Sequence, residues 1–176
     1  RKHVQLWDVS CQRQGEIKGP DAARLVQWMT PRNLRQAKIG QCLYITLIDQ
    51  NAGIINAPIL LKIGENHFWL SIADSDVLLW AKGLSLGRGF DVMVNEPDVS
   101  PLAVQGPKAE MLMEKVFGSS VRNIGFFQFD TVDFNRNSLL VSRSGYSKQG
   151  GFEIFLDKRS LGLNLWDALW EAGQVF

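Results

Sequence analysis

The residues with the clearest potential for chemistry lie at positions 143–156, a Gly-rich turn that leads into a predicted strand. Because successive side chains of a strand point to opposite faces, Glu153 and Phe155 share one face, and the residues that alternate with them share the other. A carboxylate beside an aromatic ring, just after a loop that carries Tyr146, suits a flat heteroaromatic ligand. The rings stack on such a ligand, and the carboxylate accepts two parallel N–H donors. The alternative is an ordinary strand with one solvated face.

The composition is that of a globular protein with no bias towards nucleic acid or membranes. The chain has 176 residues, 45% of them hydrophobic and 21% charged, and its net charge of +1 hides no basic block. No apolar run reaches the length of a membrane span and the N-terminus does not resemble a signal peptide, so we expect a cytoplasmic protein without membrane or nucleic-acid partners. The only cysteines are Cys11 and Cys42, and there are two histidines, which predicts buried, reduced thiols and no metal site.

An internal repeat organises the whole chain. The segment Gly19-Pro-Asp-Ala22 recurs as Gly106-Pro-Lys-Ala109, at an offset of 87 residues. Each copy follows a predicted strand and precedes apolar residues at helical spacing, namely Leu25, Val26 and Met29 in the first copy and Leu112, Met113 and Val116 in the second. The segment lacks the glycines and the lysine of a phosphate-binding loop, so we interpret it as a tight turn from strand to helix.

The elements around the two turns predict an α+β fold made of two related ferredoxin-like modules. Each copy has the order β-α-β-β-(β)-α, which is the order of a split βαβ unit with a mostly antiparallel sheet. Residues 95–101 form the seam, with two prolines and few apolar side chains. We therefore expect residues 1–95 to form the first module and residues 96–176 to form the second.

Five motifs spread over the chain resemble those of the glycine-cleavage T-protein (aminomethyltransferase) family. They are Asp8-Val-Ser10, Glu16-Ile-Lys-Gly-Pro-Asp-Ala22, Gly53-Ile-Ile-Asn56, Arg143-Ser-Gly-Tyr146 and Gly151-Phe-Glu153. Four segments are closest to the dimethylsulfoniopropionate (DMSP) demethylases of that family: Asn56 with Pro58, Ser71-Ile-Ala-Asp-Ser-Asp76, Trp80-Ala-Lys-Gly83 and Ser144-Gly-Tyr-Ser-Lys-Gln-Gly-Gly151. The resemblance implies the T-protein folate-binding fold, with each module as half of the folate-binding region, and tetrahydrofolate as cofactor. It also implies a larger protein, with a short opening segment and a C-terminal β-barrel domain that this sequence lacks.

The resemblance assigns the central cofactor-binding role to Glu153. This residue would accept two parallel N–H donors from the 2-amino-pyrimidinone edge of the pterin, a task that suits an ionised carboxylate. Four further residues complete the expected folate-binding set: Tyr146, Phe155, Phe127 and Ile72. Phe127 and Phe129 share one face of a predicted strand, and core packing is the favoured alternative for that pair.

Two tryptophans, Trp7 and Trp69, are the candidate substrate-binding residues. Each lies beside a matched motif, and the face of an indole ring attracts a sulfonium by about 0.5–2 kcal/mol. Packing in the core is the favoured alternative for both.

Asn56 is the candidate catalytic residue, and Asn56-Ala57 is the clearest departure from the T-protein pattern. T-proteins carry two aspartates at these positions. In aminomethyl transfer a carboxylate can stabilise charge and take part in proton transfer. Demethylation of a sulfonium releases a neutral thioether and needs no proton, so alignment of the reacting atoms provides most of the catalysis and an uncharged Asn56 is suitable. Ala57 matches neither pattern, since demethylases keep the second aspartate. The alternative for Asn56 is a turn residue without a ligand.

Together these residues predict a tetrahydrofolate-dependent methyltransferase that demethylates a small sulfonium such as DMSP. Its products would be methylmercaptopropionate and 5-methyl-tetrahydrofolate. The first alternative is an aminomethyltransferase of glycine cleavage, or a related folate-dependent enzyme that demethylates a methylamine. The second is a folate-binding protein of the same fold without transfer activity, and the third is an inactive fragment. The oligomeric state stays open, a dimer included.

Overall fold

The computed structural model describes residues 2–72 and 77–176, so the last four residues of the matched segment that begins at Ser71 lie outside it. The chain forms two compact units. The first unit is Cys11–Pro97, and the second is Asp98–Phe176 together with the opening residues up to Ser10. The predicted modules, residues 1–95 and 96–176, differ from these units chiefly in where the opening residues belong.

The two units contain related series of elements, and the first has two additional short strands that form a separate ribbon. The first run along the chain is β1 (Gln5–Asp8), β2 (Arg13–Lys18), α1 (Ala22–Met29), β3 (Cys42–Tyr44), β4 (Leu47–Ile48), β5 (Ile54–Asn56), β6 (Ile59–Gly64), β7 (His67–Ile72), α2 (Val77–Arg88) and β8 (Met93–Asn95). The second run is β9 (Ser100–Gln105), α3 (Ala109–Phe117), β10 (Phe129–Phe134), β11 (Asn137–Ser142), β12 (Gly151–Leu156) and α4 (Gly162–Gly173), with short 3-10 helices at Ser119–Asn123 and Arg159–Leu161.

The sheet topology repeats with the sequence. The five strands of the first unit have the order β8-β2-β7-β6-β3, and those of the second have the order β1-β9-β12-β11-β10. Every pairing among the described residues is antiparallel, including that of the small β4–β5 ribbon. The predicted α+β fold with two related modules is therefore confirmed.

The two edge strands are exchanged between the copies of the repeat. β1 precedes the first copy and β8 precedes the second, and the two strands begin 88 residues apart. However, β1 pairs with β9 and β8 pairs with β2. Each copy is thus completed by the strand that precedes the other copy, which explains why the opening residues belong to the second unit.

The repeated turns need their glycines because another backbone segment lies against them. Gly19 has a φ of 136° and Gly106 a φ of 120°, a region that residues with a side chain rarely adopt. A Cβ atom would lie 2.8 Å from the carbonyl oxygen of Asp91 at Gly19, and 2.5 Å from that of His3 at Gly106. The predicted strand-to-helix turn is therefore correct for both copies.

Each unit has its own core, which lies between its two helices and one face of its sheet. The predicted apolar stripes supply the helical side of the cores, although Val116 is only partly buried. Cys42 is buried, as expected, but Cys11 is exposed. Among the described residues, no helix has the length and apolar character that crossing a membrane requires.

Candidate functional site

One row of side chains crosses the sheet of the second unit on the face opposite its core. The strand register places Trp7 opposite Ala103, Ala103 opposite Glu153, Glu153 opposite Ser142, and Ser142 opposite Phe129. Residues that face each other in an antiparallel sheet project to the same side, about 5 Å apart. We call these five residues the Glu153 row. It sets a carboxylate between two aromatic side chains, with the small side chain of Ala103 beside it.

Glu153 is buried, with 8% of its surface exposed, and has few polar partners. The hydroxyl of Ser144 donates a hydrogen bond to its Oε2 atom, and the hydroxyl oxygen of Ser142 lies 2.6 Å from that of Ser144. Among residues 2–72 and 77–176, no cation forms an ion pair with this carboxylate. Burial raises the pKa of Glu153, and the hydrogen bond from Ser144 offsets this effect only in part. The solvated strand glutamate considered from the sequence is thus excluded.

A buried amide, that of Gln105, holds the Gly-rich loop next to Glu153. Its Nε2 atom donates to the carbonyl oxygens of Ser144 at 3.1 Å and Phe152 at 3.3 Å. Its Oε1 atom accepts a hydrogen bond from the hydroxyl of Ser147 at 2.7 Å. Gln105 therefore ties both ends and the middle of the loop to the end of β9, and so fixes the position of Ser144 against Glu153.

Two glycines leave the space that the amide of Gln105 occupies. Gly145 has a φ of 143° and Gly151 a φ of 153°, values that favour glycine. A Cβ atom at either position would overlap the Gln105 side chain, and at Gly151 it would also overlap the carbonyl oxygen of Val104. The glycines of this loop are thus required by close packing around Gln105 as well as by their backbone angles.

The first unit has an equivalent row with different chemistry. Asn95 lies opposite Glu16, Glu16 opposite Trp69, Trp69 opposite Leu61, and Leu61 opposite Cys42. In this Trp69 row, the tryptophan occupies the position of Glu153, and Glu16 occupies that of Ala103.

The carboxylate of Glu16 is well satisfied, unlike that of Glu153. The indole N–H of Trp69 donates to its Oε1 atom at 3.1 Å, and Nε2 of His67 lies 2.6 Å from the same oxygen. Burial acts to raise the pKa of Glu16, but hydrogen bonds from Trp69, His67 and Asn95 outweigh it and lower the pKa. The carboxylate in the Trp69 row therefore has several hydrogen-bond donors from the protein, whereas Glu153 in the equivalent row has the hydroxyl of Ser144 as its donor.

The other predicted folate-binding residues have different environments. Tyr146 is 93% exposed at the tip of the Gly-rich loop, whereas Phe155 is buried on the same strand face as Glu153. Ile72 ends β7 and is part of the core of the first unit. Phe127 is not on a strand: it lies in a turn with a φ of 56°, and β10 begins only at Phe129. The predicted shared face of the two phenylalanines is therefore wrong, and only Phe129 belongs to the Glu153 row.

Asn56 ends β5 in the first unit and is partly buried. Its side-chain oxygen accepts a hydrogen bond of 2.7 Å from the backbone N–H of Ala57, which fixes the orientation of the amide. Its backbone is paired with Leu47 across the small ribbon. An oriented polar group at the end of a strand is suited to positioning a ligand.

The duplicated antiparallel sheets and the buried carboxylate of the Glu153 row define a protein of the T-protein class. The chain belongs to the GCVT N-terminal domain family, whose model matches residues 1–176. Dimethylsulfoniopropionate demethylase DmdA of Ruegeria pomeroyi is 49% identical over 173 residues, which are 98% of this chain and 48% of that protein. An aminomethyltransferase of Alkaliphilus metalliredigens is 33% identical over 180 residues, or 99% of this chain and 48% of that protein.

A solved structure supports the same assignment. The glycine cleavage system aminomethyltransferase T of Bartonella henselae matches with a TM-score of 0.83 at 28% identity, over 96% of this chain and 46% of that chain. The family and fold expected from the sequence motifs are confirmed. The chain spans about half the length of the curated relatives that it matches.

Sequence reasoning missed the residues that support Glu153. Gln105 immediately precedes the repeated turn segment, at the position where the first copy has Lys18. A polar side chain between a buried strand and a glycine was the available signal. Ser144 and Ser142 lie in or next to the matched loop motif, but their contacts with Glu153 depend on strand register and loop conformation.

Proposed function

We propose that the full-length protein containing this chain is a tetrahydrofolate-dependent methyltransferase that demethylates a small sulfonium such as DMSP. The observation that carries this proposal is the carboxylate of Glu153, which is buried without a cation or a second donor among the described residues. The choice of a sulfonium rests on the 49% identity to the DMSP demethylase, compared with 33% to the aminomethyltransferase. A cytoplasmic location is part of the proposal, because a chain of 176 residues with two cysteines does not have the cysteine-rich composition of small secreted domains.

The donor pattern of a pterin fits the surroundings of Glu153. A buried carboxylate has about four lone-pair positions, and Ser144 uses one of them. The 2-amino-pyrimidinone edge presents two parallel N–H groups, which a carboxylate accepts in a bidentate arrangement. These donors would also remove the cost of burying the charge, because hydrogen bonds to the ionised form favour it. Glu153 would therefore hold the pterin, with the loop tied down by Gln105 keeping Ser144 in place.

The reaction requires little from the protein except alignment of the reacting atoms. When bound, tetrahydrofolate supplies the nucleophilic ring nitrogen that takes the methyl group. A positive sulfonium that gave up its methyl group would leave as a neutral thioether, with the electron pair of the broken carbon–sulfur bond on sulfur and the proton of the methylated nitrogen going to solvent. No acid is needed for the leaving group, which is why an uncharged Asn56 suits this reaction.

Of the two tryptophans, Trp7 is the better placed to bind a sulfonium. It belongs to the Glu153 row and is 39% exposed, so part of its indole ring is accessible. The face of an accessible indole attracts a cation by about 0.5–2 kcal/mol. The indole N–H of Trp69 is instead hydrogen-bonded to Glu16. We therefore assign the substrate-binding role to Trp7 and a structural role to Trp69.

The test is to incubate the full-length protein with tetrahydrofolate and DMSP and to measure 5-methyl-tetrahydrofolate by mass spectrometry. We expect product from the wild-type protein and none from Glu153→Ala. Absence of product above the Glu153→Ala background would contradict the proposal. Product formed from an aminomethyl donor but not from DMSP would instead identify the aminomethyltransferase alternative, and tetrahydrofolate binding without turnover on either donor would identify a non-catalytic folate-binding protein.

Asn56→Asp separates the sulfonium reaction from aminomethyl transfer. We expect this variant to fold as the wild type does, because an aspartate oxygen can accept the same hydrogen bond from Ala57. We also expect DMSP demethylation to slow about tenfold, because the amide N–H donors that help to position the substrate are lost. The measurement is kcat with DMSP, and the matched control is Asn51→Asp, an exposed loop residue of the same ribbon. If Asn56→Asp has the same kcat as the wild type, then Asn56 is a turn residue without a ligand.

A further inference from the structure

A groove of about 650 Å³ lies in the first unit, away from the Trp69 row. Its apolar floor includes Phe68, which alternates with Trp69 along β7 and therefore projects to the opposite, helix-covered face of the sheet. Residues of α1 and the end of α2 form its walls. Neither Asn56 nor any residue of the Trp69 row lines the groove.

The walls of the groove are strongly basic. Four cationic side chains line it, those of Arg24, Arg35, Lys62 and Arg88, against one carboxylate, that of Glu65. Two of the four already have an anionic partner. Nζ of Lys62 lies 3.0 Å from Glu65, and Arg24 pairs with Asp21 at 2.6 Å. Among the described residues, neither Arg35 nor Arg88 forms an ion pair, so two of the arginines that line the groove have no compensating charge.

The guanidinium of Arg88 is held in an orientation that suits an anion. Its central carbon lies 3.4 Å from the centre of the Trp28 ring, which is a stacked arrangement. Stacking covers the face of the guanidinium and leaves its N–H edge available for two parallel hydrogen bonds to a phosphate or a carboxylate. Lys62 is also well fixed: its side chain is only 12% exposed, and Nζ donates to the carbonyl oxygen of Ala37. Such prior ordering reduces the entropy lost when a ligand binds.

We infer that this groove binds a nucleotide-sized phosphorylated small molecule. Its volume lies in the range of small-molecule sites, about 300–1,000 Å³. The uncompensated guanidinium groups match the charge of a diphosphate, and the forked N–H groups of arginine match its oxygen geometry. The apolar floor, which includes Leu34, Phe68 and Phe90, would take the uncharged part of the ligand. This site does not depend on the proposed methyl transfer.

The test uses isothermal titration calorimetry on the full-length protein, with ADP, pyrophosphate and adenosine as probes. We expect ADP to bind most tightly, pyrophosphate to bind more weakly, and adenosine not to bind. Raising the salt concentration from about 0.05 to about 0.5 M should weaken ADP binding, because exposed charges are screened. Arg88→Ala and Arg35→Ala should each weaken ADP binding about tenfold, through loss of a charge-assisted pair. Lys82→Ala, which removes a positive charge from an exposed position on the same helix, is the matched control and should change the affinity less than about twofold.

Three outcomes would overturn the inference. The first is the absence of ADP binding to the wild-type protein, and the second is an equal affinity for wild type, Arg88→Ala and Arg35→Ala. The third is binding of a hexaglutamate peptide as tight and as dependent on Arg88 as that of ADP, which would make the groove a docking surface for acidic peptides. Glu153→Gln should leave ADP binding unchanged, so a failure of the proposed methyl transfer is distinguishable from a failure of the groove.

Discussion

Glu153→Gln is expected to lower the affinity for tetrahydrofolate by roughly 30- to 150-fold, equivalent to about 2–3 kcal/mol for hydrogen bonds to a charged acceptor. The amide offers one acceptor and one donor, so one of two parallel N–H groups on the pterin would meet another N–H group. At a low tetrahydrofolate concentration, the rate of methyl transfer should fall by at least the same factor as the affinity. The measurement is calorimetry with tetrahydrofolate, and the control is Glu171→Gln, an exposed position on α4 of the same unit.

The same substitution is expected to stabilise the protein at neutral pH. Burial raises the pKa of Glu153 in the folded state, so the folded chain holds this proton more tightly than the unfolded chain does. Stability therefore falls as the pH rises from the ordinary value of 4.5 through the raised pKa, and the whole cost is present above it. Glu153→Gln removes that cost, so the Tm at pH 7 should rise, by about 2–4 °C for each kcal/mol removed.

The pH dependence distinguishes this effect from a general change in packing. Below the ordinary glutamate pKa of 4.5, the carboxyl group of Glu153 is mostly protonated in both the folded and the unfolded state. The difference in Tm between Glu153→Gln and wild type should therefore become small at pH 4 and below. Binding of tetrahydrofolate to the wild type should strengthen as the pH rises through the raised pKa, because ionised Glu153 is the acceptor. A variant that is less stable than wild type at pH 7, or equally shifted at both pH values, would show that Glu153 is a structural residue.

The parts of this protein that sequence reasoning predicted are those with a local physical requirement. The turns at Gly19 and Gly106 need a positive φ and a close backbone approach, so the same short segment appears in both copies. Alternation along β12 placed Glu153 on the face opposite the core, since the apolar residues of that strand must pack against the helices. Local patterns of this kind can be recognised from the amino-acid sequence alone.

The features that sequence reasoning missed depend on partners far apart in the chain. β1 and β8 have no local signal that selects the other copy as their neighbour. Period two predicted a strand position for Phe127, but its N–H donates to the carbonyl oxygen of Arg143 in a turn, and the strand starts later. Gln105 was part of a recognised repeat, yet its role appears only when the loop folds back onto the end of β9. Contacts between distant segments had to be seen in the structure.

Gly145→Ala is expected to cause a large loss of stability in the second unit. The positive φ of Gly145 alone costs a residue with a side chain about 1–3 kcal/mol. The new methyl group would also overlap the amide of Gln105, which would break the hydrogen bonds that this amide makes with Ser144, Ser147 and Phe152. The measurement is the free energy of unfolding from denaturant titration, with tetrahydrofolate affinity as the functional readout.

Gly150→Ala provides the matched control, because Gly150 also has a positive φ, 79°, but has open space where a Cβ atom would lie. The excess destabilisation of Gly145→Ala over Gly150→Ala, about 1–3 kcal/mol, then measures the clash with Gln105 and the lost hydrogen bonds. Gln105→Ala removes the obstacle, so Gly145→Ala should cost less in the Gln105→Ala background than it does in the wild type. Additive effects in that double-mutant cycle would show that Gln105 does not hold the loop. A coupled result would mean that the position of Ser144, and through it the carboxylate of Glu153, depends on an amide on the neighbouring strand β9.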